Sequence, residues 1–128
     1  GKALAKFKEL VSIQGGDPQI VDEPEKLPQA KNHWEVCSGQ AGYISSIDAE
    51  KIGVAAMLLG AGRKKKEDSI DYAAGVTLLK KVGDYVEVNE PLCILHTNLD
   101  QVETNILEAY TIQTAKPEPL KYVHGVIE

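Results

Sequence analysis

Within residues 75–96, three short stretches rich in Val, Leu and Ile are separated by two strong turn compositions, Val82-Gly83-Asp84 and Asn89-Glu90-Pro91. Residues 76–80, 85–88 and 92–96 therefore read as three strands in quick succession. Strands this close must pair their backbone groups within a sheet. The chain is thereby excluded from the all-helical folds.

The remaining segments arrange themselves around that core. Residues 3–14 carry Leu4, Phe7, Leu10 and Val11 at three- and four-residue spacing, which predicts an amphipathic helix. Gly15-Gly16 ends it and Asp17-Pro18 prevents its continuation. From Asp17 to Asn32 there are three prolines, several charges and little periodicity, the composition of an arm lying on some other surface. Residues 34–38 and 42–47 read as strands flanking a Ser-Gly-Gln-Ala-Gly turn. Asp48 then caps a helix over 49–59, with Ile52, Ala55, Ala56 and Leu59 on its apolar face and Gly60 and Gly62 at its end. A second helix is expected over 99–109, from Leu99, Val102, Ile106 and Leu107, and a last strand over 110–114. The expected class is α+β. It is a strand-rich hammerhead or barrel-sandwich-like domain with two packed helices, preceded by a short helix and a Pro-rich arm. The helix and arm of residues 1–32 are therefore expected to lie outside the core formed by residues 33–128.

Composition narrows the function classes. The 128 residues are 43% hydrophobic and 26% charged, a globular profile. A net charge of −5 argues against nucleic acid as a partner, because phosphate neutralisation by Lys and Arg dominates that affinity. The longest apolar run, 54–59, is far short of the roughly 20 residues a membrane-spanning helix needs. No secretory signal pattern opens the chain. Cys37 and Cys93 lie in apolar, strand-like surroundings and are expected as reduced core thiols, consistent with a cytoplasmic setting. Starting at Gly1, directly in a helical pattern, the chain reads as a fragment start or an expression scar.

Chemical motifs are sparse. His33, His96 and His124 lack the spacing of a zinc site, so no metal ligands are assigned. His96 ends a strand and could line a cleft, although a satisfied structural role is the simpler expectation. The run Gly60-Ala61-Gly62-Arg63-Lys64-Lys65-Lys66 suggests phosphate, but a P-loop needs Ser or Thr after its lysine and a helix beginning there. Here the glycines end a helix, whose outward carbonyls suit cations. Arg63 and Lys64 are thus expected to satisfy the helix terminus. Arg63, Lys64, Lys65 and Lys66 remain candidates for attracting an anion over a distance. No serine has a nucleophile-elbow context, and Asp68 and Asp71 suit ion pairs with the basic run better than acid–base work. Catalytic and cofactor-binding residues are therefore expected to be absent. The strand–Gly-Asp–strand series also occurs in lipoyl and biotinyl carriers, which attach their group to a hairpin lysine. No lysine occurs between Val82 and Ala115, so a stand-alone carrier or binding module keeps the architecture but loses its attachment point.

Taken together, Ala41-Gly42-Tyr43-Ile44, Ile47-Asp48, the run from Ile52 to Arg63, the run from Lys66 to Asp71, Ala74-Gly75, Lys80-Lys81-Val82-Gly83-Asp84, Leu92 and His96 resemble the pyrimidine- and thymidine-phosphorylase family. The opening Gly1-Lys2-Ala3-Leu4, Phe7, Val11 and Gln14-Gly15-Gly16-Asp17 is similar to the end of that family's central α/β domain. The resemblance implies phosphorolysis of a thymidine- or uridine-type nucleoside, with phosphate as co-substrate and no other cofactor. It also implies that the phosphate- and base-binding residues lie upstream of this chain. The partners implied are those upstream domains, within a parent homodimer built mainly through a helical domain. The C-terminal domain would form part of the larger lobe that closes on substrate.

Overall fold

A computed structural model describes residues 1–63, 65–119, 121, 123 and 125–127. Helix α1 (Lys2–Ile13) ends at Gly15, whose φ of 80° lets the chain reverse while Gly16 N–H donates to the Val11 carbonyl. Two 3₁₀ turns, Pro18–Val21 and Pro24–Lys26, follow, the first capped by the Asp17 carboxylate. None of the α1 residues is buried: Leu4, Phe7 and Leu10 each keep about half their surface, at 52%, 51% and 51%. An apolar stripe at helical spacing forms in water only if another surface covers it. The amphipathic pattern thus predicts the helix correctly, and its apolar stripe stays half exposed among the described residues.

From residue 32 onward the chain builds two three-stranded antiparallel sheets. The first has the order β1 (Asn32–Cys37), β5 (Pro91–Thr97), β3 (Gly75–Leu78). The second has the order β4 (Tyr85–Val86), β2 (Gly42–Ile47), β6 (Tyr110–Gln113). The connection from β4 in the second sheet to β5 in the first turns through Asn89 at φ 65°, a conformation Asn tolerates better than most residues. Gly42 runs so close to β6 that a Cβ there would lie 2.6 Å from the Gln113 carbonyl oxygen. Helix α2 (Ala49–Ala56) begins where expected, its first N–H groups at Glu50 and Lys51 donating to the Asp48 carboxylate. It passes into a π turn, Met57–Ala61, broken by Gly60 at φ 113°.

The core is shared by both sheets and α2: Ile44, Val86, Leu92, Cys93 and Leu95 from strands, Ala55 and Leu59 from the helix, and Ile106, Ala109 and Tyr110 from the last segment. The fold is α+β with two helices, and neither sheet closes into a barrel. The expected helix over 99–109 does not form; only a 3₁₀ turn, Ile106–Ala109, is present. The reason is local competition for the backbone. Leu99 N–H donates to the Thr97 hydroxyl, and the Leu99 carbonyl accepts from the Asn32 side chain. The Leu99 carbonyl, which would accept an early intrahelical bond, is thus occupied by a side chain instead. Among the described residues no helix is long and apolar enough to cross a membrane.

Candidate functional site

The basic stretch forms the tip of the connection from α2 to β3. Its base is fixed at both ends. The Leu59 carbonyl accepts from the buried Thr97 hydroxyl at 2.7 Å, and the Gly60 carbonyl accepts from Asp71 N–H at 2.9 Å. The Leu59 and Gly60 carbonyls at the helix terminus are therefore satisfied by Thr97 and Asp71 rather than by Arg63, and the contact expected of Lys64 lies outside the described residues. A neutral hydroxyl and an amide reach these carbonyls without the desolvation cost of burying a cation.

At the tip, Lys65 N–H donates to the Asp68 carboxylate at 2.9 Å, while Asp68 N–H donates to the Lys65 carbonyl at 3.1 Å. This turn leaves the side chains of Arg63, Lys65 and Lys66 exposed; Lys64 lies outside the described residues. Arg63, Lys65 and Lys66 stand beside Glu67 and Asp68 on this loop, in a chain whose net charge is −5. Asp71 accepts two neutral donors, Ala73 N–H at 2.9 Å and the Asn98 amide at 2.8 Å, and among the described residues it forms no ion pair.

An open groove of about 540 Å³ lies between α2 and residues 103–108. Val54, Ala55, Leu58 and Ile106 line it, together with the carboxylates of Glu50, Glu103 and Glu108. Such a carboxylate rim, with Lys51 as the one cation in the lining, disfavours phosphate in the groove.

The histidines show what sequence spacing conceals. His33 and His96, 63 positions apart, are direct cross-strand partners on β1 and β5. Their Nδ1 atoms are 2.8 Å apart, the rings meet edge-on, and His96 Nε2 lies 2.8 Å from the Thr77 hydroxyl. Burial, and secondarily the neighbouring His33, hold His96 below its ordinary imidazole value. Only pairing β1 with β5 from the alternation of their faces would have revealed this contact. His124 lies outside the described residues. Among the described residues no group of three or more His, Cys, Asp or Glu side chains is arranged to hold a metal ion.

Both cysteines are free, Cys93 buried and Cys37 partly so. Burial pushes the Cys93 thiol up. Burial, and the adjacent Cys93, do the same to the Tyr110 hydroxyl. Neither group is poised for nucleophilic work. After β5, where a carrier would present its lysine, the chain has Asn98 and Leu99.

Residues 43–114 match the family described as pyrimidine nucleoside phosphorylase C-terminal domain. The chain is 56% identical to a pyrimidine-nucleoside phosphorylase of Bacillus subtilis strain 168 over 129 aligned positions, covering 99% of this chain and 30% of that protein. It is 48% identical to one from Staphylococcus epidermidis over 130 positions, with the same coverage of 99% and 30%. A Staphylococcus aureus pyrimidine-nucleoside phosphorylase is 48% identical over 103 positions, which are 80% of this chain and 24% of that protein. The chain thus spans about a third or less of the length of these curated relatives. With the capped helix α2, strands β3 to β6 and nearly all of β2 inside the matched region, the chain belongs to the pyrimidine-nucleoside phosphorylase family and corresponds to the C-terminal domain of its members.

Proposed function

We propose that this chain is the C-terminal structural domain of an enzyme that converts a pyrimidine nucleoside and phosphate into free base and ribose- or deoxyribose-1-phosphate. The observation that carries the reading is the alignment, which covers 99% of this chain but only 30% of the Bacillus subtilis phosphorylase. The chemistry would reside in the upstream remainder, and this domain would shape the lobe that closes on substrate. Closure brings reactants together and excludes water, as an enzyme that must use phosphate as acceptor requires.

In this reading residues 1–32 belong with the upstream α/β domain. The uncovered stripe of α1 supports that division, since Leu4, Phe7 and Leu10 would pack against the upstream lobe. The two sheets and α2 act as a rigid buttress, while Arg63, Lys64, Lys65 and Lys66 raise the local concentration of phosphate. The parent enzyme would be a cytoplasmic homodimer acting on thymidine, uridine or both in nucleoside salvage. The free thiols of Cys37 and Cys93 agree with a reducing compartment.

The test is phosphorolysis of thymidine and uridine by the complete polypeptide and by this chain alone, both in phosphate buffer. The complete polypeptide should turn over and the chain alone should not. Turnover by the 128 residues would overturn the structural role. Replacing Lys64, Lys65 and Lys66 with Gln together in the complete enzyme tests the loop. An unchanged apparent phosphate affinity at low salt would end the steering idea.

A further inference from the structure

One side chain joins the arm to the base of the basic loop. Asn98 follows β5 directly, and its amide is used at both ends. Its Oδ1 accepts from Lys31 N–H at 2.8 Å, where the arm enters β1. Its Nδ2 donates to Asp71 Oδ2 at 2.8 Å, where the loop returns toward β3. Asp71 is in turn committed to the loop: its other oxygen accepts from Ala73 N–H, its own N–H donates to the Gly60 carbonyl, and its carbonyl accepts from Ala74 N–H. The neighbours on either side of Asn98 extend the same tie. Thr97 reaches Leu59 at the end of α2, and Leu99 is reached by Asn32 of β1.

We infer that Asn98 is a positioning residue that couples the posture of the basic loop to that of the arm. The inference rests on the proposed reading, in which the arm leads to the phosphate lobe and the loop attracts phosphate. The chemistry of the junction demands an amide. Lys31 N–H needs an acceptor and the Asp71 carboxylate needs a donor, and these lie on opposite ends of one short side chain. Aspartate at 98 would meet Lys31 but set two carboxylates against each other. Asparagine at 71 would still accept from Ala73 N–H but would turn a second NH₂ toward that of Asn98. The exchanged pair, Asn98→Asp with Asp71→Asn, can make all three hydrogen bonds again with the donor and acceptor reversed between them.

That reciprocity sets the experiment, carried out in the complete enzyme with the two single variants and the double variant. Each single variant should raise the KM for phosphate by about fivefold or more, a modest coupling factor, with kcat within about twofold. The double variant should return KM to within about twofold of the parent value. Amide exchange adds a reading independent of activity. Asp71→Asn should speed exchange at Lys31 by up to about tenfold, the worth of one hydrogen bond, although Asp71 does not touch it. Singles that lower thermal stability but leave phosphate KM unchanged would reduce Asn98 to a structural tie. A double variant no better than the worse single would also overturn the inference. Absence of phosphorolysis in the unaltered enzyme would instead sink the functional reading, and Lys31 exchange would still decide whether loop and arm are coupled.

Discussion

The Thr97 hydroxyl donates to the Leu59 carbonyl oxygen at 2.7 Å across 38 positions of sequence, and both residues are fully buried. The bond fastens the end of α2 to the last residue of β5, so it links the helix to the first sheet where the basic loop departs. Thr97→Val keeps the shape and removes the donor, stranding a carbonyl that water cannot reach. The expected loss is about 1–3 kcal/mol, seen as a lower denaturant midpoint with an unchanged slope. Thr97→Ser should retain most of the stability because it keeps the hydroxyl. If valine and serine behave alike, the methyl contact and not the hydrogen bond holds this corner.

Gly42 tests the second sheet in the same way. Its φ is 154°, and a Cβ there would sit 2.6 Å from the Gln113 carbonyl oxygen and 2.9 Å from the Ile112 methyl. Both neighbours are on β6, one of them backbone, so the strand itself must move. Gly42→Ala should cost about 1–3 kcal/mol. Gly39→Ala, with nothing within 4 Å of its added carbon, should stay within about 0.5 kcal/mol. Equal denaturation midpoints for the two variants would show that β6 yields without penalty.

What could be read from sequence follows from how local each signal is. Asp48 with its following helix, Gly15 after α1 and the Asn89 turn are settled by residues within a few positions, and the structure has each where the sequence puts it. The 99–109 segment has helical spacing too, yet its Leu99 carbonyl is taken by the Asn32 side chain, 67 positions away. Periodicity cannot register such competition. The loop shows the same division. The cations of Arg63, Lys65 and Lys66 are evident in the sequence, but the groups that satisfy the helix end, Thr97 and Asp71, come from later in the chain. His33 against His96 and Lys31 against Asn98 are likewise products of strand pairing alone.

The histidine pair gives a pH dependence with a definite sign. His96 is held below its ordinary value by burial and then by His33, and its Nε2 is engaged with Thr77. As pH falls through about 6.5, the unfolded chain takes up this proton before the folded one does. The stabilising effect of a neutral His96 is therefore complete above that value and is lost as pH drops toward the folded one. His96→Gln can still reach Thr77 and does not titrate. Its stability, measured by urea denaturation at about pH 7.5 and 5.5, should fall less across this window than that of the parent. A drop of the same size in both proteins would mean that His96 is not the group responsible.

Cys93 reports on the core that both sheets share. Its side chain is fully buried, and burial raises its thiol, so a labelling reagent meets neither access nor thiolate in the folded state. In a Cys37→Ser background only Cys93 remains. Its reaction with an aromatic disulfide reagent should then require opening of the structure, and should be slower than in denaturant by a factor of about 10³ or more if opening is global. The rate should rise with urea along the slope of global unfolding, because the β5 segment around Cys93 is held by β1 on one side and β3 on the other. Labelling that is fast and insensitive to urea would show that β5 opens locally. The buttress role would then fail, since a strand that detaches on its own cannot hold Asn98 and Thr97 in fixed positions beneath the loop.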